Sequence, residues 1–205
     1  TYALSLTRST QEPRLEASVR INLGNVYWHT GDYTQARDEF EQALTLCDQF
    51  GMRQLESLAL NNIGLVDSEL GLFTQGLEAI GRALAISREV GDRRGEGNAL
   101  LNLIAVQIEG GHLADAWEYA DDALLLCRAI GDRQGEGIAL EHYGILYLRC
   151  GAYKPAADYF TQAWGIYQEL GEAWGMATIS VWRGWLALYA QAWDEAFQQI
   201  FDGLE

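Results

Sequence analysis

Lysine is almost absent from this chain of 205 residues, and Lys154 is the only one. Lys and Arg together number 14 against 29 Asp and Glu, so the formal net charge is -15. Such a charge disfavours nucleic-acid binding, which draws most of its affinity from clustered basic side chains. Proline occurs only twice, and no apolar run approaches the ~20 residues that a membrane-spanning helix needs.

Cysteine is also scarce, with only Cys47, Cys127 and Cys150 in the chain. The three have no CxxC spacing and cannot all pair within one chain, so a disulfide framework is not expected. Reduced thiols are typical of the cytoplasm. The sequence therefore predicts a folded, cytoplasmic protein without membrane or nucleic-acid partners.

Repetition at an interval of forty residues is the dominant feature of the sequence. The segment "GDRRGEG" at 91–97 returns as "GDRQGEG" at 131–137. Alanine recurs in one column, at Ala43, Ala83, Ala123 and Ala163, where two helices would approach closely. Glycine, which often ends a helix in the left-handed conformation, recurs in two columns. These columns are Gly31, Gly71, Gly111 and Gly151, and then Gly51, Gly91, Gly131 and Gly171.

Because the two glycine columns are twenty residues apart, each repeat is predicted to be two helices joined by short turns. Apolar residues between the glycines follow a helical period. We predict first helices at about 13–30, 53–70, 93–110, 133–150 and 173–190, and second helices at about 34–49, 74–89, 114–129, 154–169 and 194–204. The repeats of this single array over 1–205 are then 11–50, 51–90, 91–130, 131–170 and 171–205.

The two ends of the chain interrupt this pattern. Residues 1–10 align with the second helix of an earlier repeat, and residue 205 falls within a second helix. We therefore expect the sequence to be a piece of a longer protein, with Leu204 and Glu205 as candidates for a vector remnant.

The stretch 20–46, "RINLGNVYWHTGDYTQARDEFEQALTL", resembles the tetratricopeptide repeat. The positions that stand at the intervals of that family are Leu23, Gly24, Tyr27, Gly31, Tyr33, Ala36, Phe40 and Ala43. The resemblance extends over essentially the whole chain and is to the long, forty-residue variety. That variety occurs in adaptors such as kinesin light chain and in the sensor arrays of bacterial signal-transducing NTPases and regulators. It implies an all-α fold, a right-handed α-α superhelix (solenoid) of about five helix-turn-helix repeats, with protein-protein interaction as its function.

The resemblance further implies that the first helices line a concave groove. Asparagine forms one column of this wall, Asn22, Asn62 and Asn102, and its carboxamide can bind both N–H and C=O of a peptide backbone. Hydrogen bonds between neighbouring helices are the alternative for these amides. The other candidates for partner binding are Asn25, Asn61, Asn98, Glu69, Glu109, Glu141, His142, Arg149, Trp185 and Tyr189.

Charge on this wall indicates the chemistry of a partner. Only Arg149 is basic, which disfavours the clamp for a terminal carboxylate that needs neighbouring Lys or Arg side chains. The acidic side chains favour a peptide with basic residues, although solvated carboxylates are the alternative. Trp185 is either a partner anchor or a residue that a further repeat would cover.

Catalytic chemistry finds no support in the sequence. His29, His112 and His142 lie in different repeats and columns without metal-ligand spacing, so no metal site is predicted. "GDRRGEG" lacks both GK[ST] and a preceding strand, so it is not a phosphate-binding loop, and no cofactor is expected. The leading hypothesis is the noncatalytic sensor or scaffold part of a larger cytoplasmic regulator. The alternative is a structural spacer or self-association module that forms a homo-oligomer through its array ends.

Overall fold

A computed structural model of the protein describes residues 12–189, a range that contains helices and short turns but no strand. The helices are α1 Pro13–His29, α2 Tyr33–Phe50, α3 Arg53–Glu69, α4 Phe73–Val90, α5 Arg93–Glu109, α6 Leu113–Ile130, α7 Arg133–Arg149, α8 Tyr153–Leu170 and α9 Ala173–Tyr189. These bounds confirm the all-α class and the predicted helices. Residues 1–10, the second helix predicted at 194–204, and Leu204 and Glu205 lie outside the described residues.

Glycine forms both kinds of turn between the helices. The residues of the two glycine columns have φ between 65° and 80°, a conformation that costs an L-residue energy and costs glycine none. Gly51, Gly91 and Gly171, for example, are the left-handed residues that follow α2, α4 and α8. The two predicted classes of closing glycine are therefore confirmed.

Small residues let the two helices of a repeat approach each other. A Cβ atom built on Gly64 of α3 would lie 2.7 Å from the carbonyl oxygen of Gly76 and 2.3 Å from the Ile80 side chain, both on α4. A Cβ on Gly24 would likewise lie 2.5 Å from the Phe40 ring. Ala43 is fully buried in the same layer of packing. These contacts confirm the prediction that small residues mark the close approach of helices.

Each of the first helices α1, α3, α5 and α7 has a glutamate in its first turn that pairs with arginine. Glu96 of α5 accepts hydrogen bonds from Arg88 of α4 at 2.9 Å and from Arg93 at 2.8 Å. These ion pairs join the end of one repeat to the start of the next. The same arrangement recurs forty residues later at Glu136, Arg128 and Arg133.

The chain divides into two compact units, 1–112 and 113–205. In the first unit α3 contacts α1 and α5, and each second helix contacts the first helices on both sides of it in sequence. In the second unit α7 contacts α6, α8 and α9. The division falls between α5 and α6, within the predicted repeat 91–130, so the single array of five repeats stays a prediction. Among the described residues, no helix is both long and apolar enough to cross a membrane.

Candidate partner-binding surface

The asparagine column of the first unit does not have a uniform environment. Asn22 of α1 is exposed, whereas Asn62 of α3 and Asn102 of α5 are partly buried. The Nδ2 of Asn62 donates a hydrogen bond to the Oδ1 of Asn25 at 3.1 Å, which joins α3 to α1. At Asn62, therefore, the amide bonds between neighbouring helices. Asn22 and Asn102 form no side-chain hydrogen bond with the described residues.

A cleft of about 300 Å³ lies between α3 and the start of α5. Asn61 is only 8% exposed at its wall, and the buried Oδ1 of this side chain has no hydrogen-bond partner among the described residues. Buried polar atoms normally have a partner, so this amide is an exception within its unit. The cleft brings predicted site residues from two first helices together, and its lining is Gln54, Leu55, Ser57, Leu58, Asn61, Asp92, Arg94, Gly95 and Asn98.

Two predicted carboxylates of the first unit remain accessible to solvent. Glu69 ends α3 and Glu109 ends α5, and both are exposed. The Oγ of Ser68 donates a hydrogen bond to Glu109 at 2.8 Å. The charge of Glu69, followed by burial and a hydrogen bond to Glu69, raises the pKa of the Tyr33 phenol. These carboxylates contribute to the negative charge at the ends of the first helices.

Glu141 of α7 has a different environment in the second unit, because it is partly buried and contacts two further helices. Its Oε2 accepts a hydrogen bond from the hydroxyl of Tyr167 on α8 at 2.9 Å. Its Oε1 accepts one from the indole Nε1 of Trp182 on α9 at 3.1 Å. Burial raises the pKa of the Glu141 carboxyl above its usual value, although the two hydrogen bonds act in the opposite direction.

His142 follows Glu141 on α7 but lies inside the unit, where it is 9% exposed. Burial lowers the pKa of the imidazole to about 4, and its Nδ1 has no partner among the described residues. Because this imidazole is neutral and buried, it contributes little to the binding of a partner. Arg149, the last residue of α7, is exposed.

Aromatic side chains on α9 are exposed. Trp185 is 47% exposed and stacks with Tyr189 at a distance of 6.0 Å between ring centroids. Trp174 in the first turn of α9 is 84% exposed. The sequence analysis missed the partner of Arg183, whose guanidinium lies 5.9 Å from the centroid of the Trp164 ring.

Two cysteines of the described residues carry buried thiols. Cys47 and Cys127 are buried, and burial raises the pKa of each thiol to about 11. A thiol with such a pKa is unreactive at neutral pH. Residues 12–189 hold no group of three or more His, Cys, Asp or Glu side chains arranged for a metal ion.

The comparison with protein families identifies the repeats. Residues 15–89 match the family described as tetratricopeptide repeat. The segment 15–89 is therefore similar to the tetratricopeptide repeat. The matched segment runs from α1 to the last turn of α4, so it includes the asparagines at 22, 25, 61 and 62. The comparison with curated proteins gave no match.

Solved structures resemble this chain over nearly its whole length. Aspartyl phosphate phosphatase F from Bacillus subtilis gives a TM-score of 0.82 at 15% identity, with 98% of this chain and 52% of that chain covered. NprR in complex with its cognate peptide NprX gives 0.74 at 16% identity, with 98% and 59% covered. A signal transduction ATPase with numerous domains from Pyrococcus horikoshii, which has a tetratricopeptide repeat sensor, gives 0.68 at 16% identity, with 93% and 32% covered.

At 15–16% identity, the similarity to these structures shows a common fold and nothing further. The chain spans between a third and three fifths of the length of these three proteins.

Proposed function

We propose that this chain is a noncatalytic interaction module that binds a segment of a partner protein, in extended conformation, along the first helices of its first unit. The observation that carries this proposal is the cleft between α3 and α5, where Asn61 and Asn98 come from successive repeats. NprR, a protein of the same fold, is in complex with its cognate peptide, which supports a peptide as the class of ligand.

The spacing of the first helices suits an extended peptide. Packed helices lie about 8 to 10 Å apart, and an extended chain rises about 3.3 Å per residue. One first helix therefore meets roughly every third residue of the peptide. Carboxamides at each step bind the peptide backbone through both a donor and an acceptor, so affinity depends little on the peptide's side chains.

The wider role that we propose is that of a sensor or scaffold within a larger cytoplasmic regulatory protein. The Pyrococcus horikoshii protein is named as having a tetratricopeptide repeat sensor, and its similarity to this chain covers 32% of its length. A binding module without catalytic activity regulates an activity by coupling to the domain that carries it.

Selection from a library of random twelve-residue peptides displayed on phage tests the proposal. We expect the chain to enrich peptides, and the double variant Asn22→Ala/Asn102→Ala to bind them about tenfold or more weakly, because amides of the peptide lose their partners. Isothermal titration calorimetry measures the affinities. These two asparagines suit the test because neither is hydrogen-bonded to the described residues.

The matched control replaces two exposed carboxamides on the second helices, in the variant Gln49→Ala/Gln75→Ala. This variant keeps the wild-type affinity if the peptide lies on the first helices. Selected peptides whose affinity is unchanged in the asparagine variant, while circular dichroism shows an intact fold, contradict the proposal.

Self-association is the second candidate function, and the exposed aromatic side chains of α9 favour it. Trp174, Trp185 and Tyr189 present apolar surface on one helix. Aromatic side chains of this kind are common in the energetically dominant part of protein interfaces. A second copy of the chain that covers this helix would act as a spacer or assembly element.

A further inference from the structure

Buried carboxylates in the described part of this chain have arginine partners. Each one that is more than nine-tenths buried has a guanidinium nitrogen within 3 Å, and these residues are Glu56, Asp67, Glu96 and Glu136. Pairing of this kind is expected, because a buried charge without a partner is costly. The chain thus supplies arginine wherever packing buries an acid to that degree.

Glu141 is less deeply buried than these four carboxylates and has no arginine partner within residues 12–189. Burial raises its pKa, yet no lysine, arginine or histidine nitrogen of the described residues lies within 4 Å of its carboxylate. Its hydrogen bonds come from two uncharged donors, the hydroxyl of Tyr167 and the indole of Trp182. These donors fix the orientation of the carboxylate without neutralising it.

The two hydrogen bonds leave acceptor capacity on both carboxylate oxygens. Each carboxylate oxygen has two lone pairs, and Tyr167 and Trp182 each occupy one of them on a different oxygen. One acceptor position therefore remains on each oxygen, which is the arrangement that a guanidinium binds with two parallel N–H donors. An ammonium group presents a single point of charge and fits this pair less well.

We propose that Glu141, oriented by Tyr167 and Trp182, binds an arginine side chain of a partner segment at the second unit. This inference rests on the proposed function, and it adds the chemistry by which the first helices of the second unit recognise a partner. The net charge of -15 supports it, because an acidic protein attracts basic segments from a distance. The four buried carboxylates Glu56, Asp67, Glu96 and Glu136 already have internal arginines, so they compete weakly for the same group.

Two small probes test the inference without knowledge of the partner. The first is acetyl-Gly-Arg-Gly-amide, and the second carries citrulline in place of arginine, which keeps the shape and removes the charge. The measurement follows the indole N–H resonance of Trp182, assigned with the variant Trp182→Phe. We expect the arginine probe to shift this resonance and to bind about tenfold more tightly than the citrulline probe.

The variant Glu141→Gln keeps the size of the side chain and is expected to bind the two probes equally. The matched control is Glu118→Gln, an exposed glutamate of α6, which is expected to keep the preference for arginine. Equal affinities of the two probes for the wild-type chain overturn the inference, and this comparison needs no variant that must fold. A folded Glu141→Gln variant that still prefers arginine overturns it as well.

The peptides selected from the phage library separate this inference from the proposed function. Enrichment of arginine among them, lost in Glu141→Gln, supports both. Peptides that depend on Asn22 and Asn102 but contain no enriched arginine support the proposed function and overturn the role of Glu141. A preference of the wild-type chain for the arginine probe, with no peptide selected, supports the carboxylate site and contradicts the proposed function.

Discussion

His142 occupies a column that holds asparagine at positions 22, 62 and 102, yet burial gives it a different role. The sequence places it correctly in the column but does not indicate the depth of that position within the second unit. Depth depends on the helices packed against α7, which the period of one helix does not specify. A charged imidazole at this position would be costly, so the fold keeps it neutral.

The neutral His142 predicts a loss of stability in mild acid. Its pKa is about 4 in the fold and 6.5 for a free histidine, so the unfolded chain binds the additional proton between these values. The contribution is complete above pH 6.5 and is lost as the pH falls towards 4. We expect the free energy of unfolding to fall by about 2 kcal/mol more between pH 7 and pH 5 in the wild type than in His142→Leu, measured by urea denaturation.

The exposed His112 provides the control, since His112→Gln is expected to keep the wild-type dependence on pH. A His142→Leu variant with the wild-type slope between pH 7 and pH 5 rules out His142 as the source.

Equivalent positions can hold different chemistry without a change in the helix contact. Arg37 of α2 donates through Nε to Asp67 of α3 at 2.7 Å in the first unit. Eighty residues later the same positions are Trp117 and Tyr147, whose rings meet edge to face at 4.9 Å between centroids. An ion pair and an aromatic pair thus serve the same contact between a second helix and the next first helix. A comparison of columns across the repeats would have revealed this pairing from the sequence.

Helices of this chain could be predicted closely because their signals are local. Glycine at fixed intervals and an apolar period specify where α1 to α9 begin and end, and the structure agrees within one residue. Asp92 and Asp132 also cap helices, by accepting hydrogen bonds from the backbone N–H groups of Gly95 and Gly135. These caps were not among the features predicted from the sequence, although aspartate at such a position is a known signal.

Side-chain environments on the helices could be predicted only in part. The partners of Glu141 lie 26 and 41 residues further along the chain, so no pattern within α7 indicates them. Asn62 likewise finds its partner on another helix. Helical period shows which side of a helix a residue is on, whereas the neighbouring helices determine whether it is paired, buried or free to bind.

Close approach of α3 and α4 predicts opposite effects for two glycine substitutions. In Gly64→Ala the new methyl group meets the backbone oxygen of Gly76, which cannot move without shifting a helix. We expect a loss of about 1 to 3 kcal/mol in the free energy of unfolding. Gly81 lies within α4 and has open space around it, so Gly81→Ala is expected to gain about 0.5 to 1 kcal/mol from helix propensity.

Urea denaturation followed by circular dichroism measures both variants. The second substitution is the control for helix propensity, because both changes add the same methyl group. A Gly64→Ala variant as stable as the wild type would show that α3 and α4 tolerate a wider separation.

The chain as a whole was predicted to be one uninterrupted array, and its forty-residue period runs without a gap. The contacts nevertheless divide it into units at 1–112 and 113–205. Period alone does not indicate such a boundary, since the sequence pattern is the same on both sides. The single array over 1–205 therefore stays a prediction.

Self-association is a property of the whole molecule, and the second candidate function makes a prediction about it. If copies associate through α9, Trp174→Ser/Trp185→Ser is expected to weaken dimers at least about tenfold, because exposed aromatic side chains lose their buried contacts. Light scattering across a range of concentrations measures this. The control is Leu125→Ser on α6, where a leucine is 65% exposed. Dimers that survive the double substitution contradict the second candidate.

The equivalent ion pairs of Glu96 and Glu136 determine which partners meet when a whole repeat is lost. Each glutamate forms an ion pair with the arginine three residues before it and another with the arginine eight residues before it. Loss of residues 91–130 by recombination between the two similar "GDRRGEG" and "GDRQGEG" stretches would place Arg88 eight residues before Glu136. Glu136 would then have both of its arginine partners at the new junction. Loss of this one whole repeat would therefore preserve the ion pairs that join successive repeats.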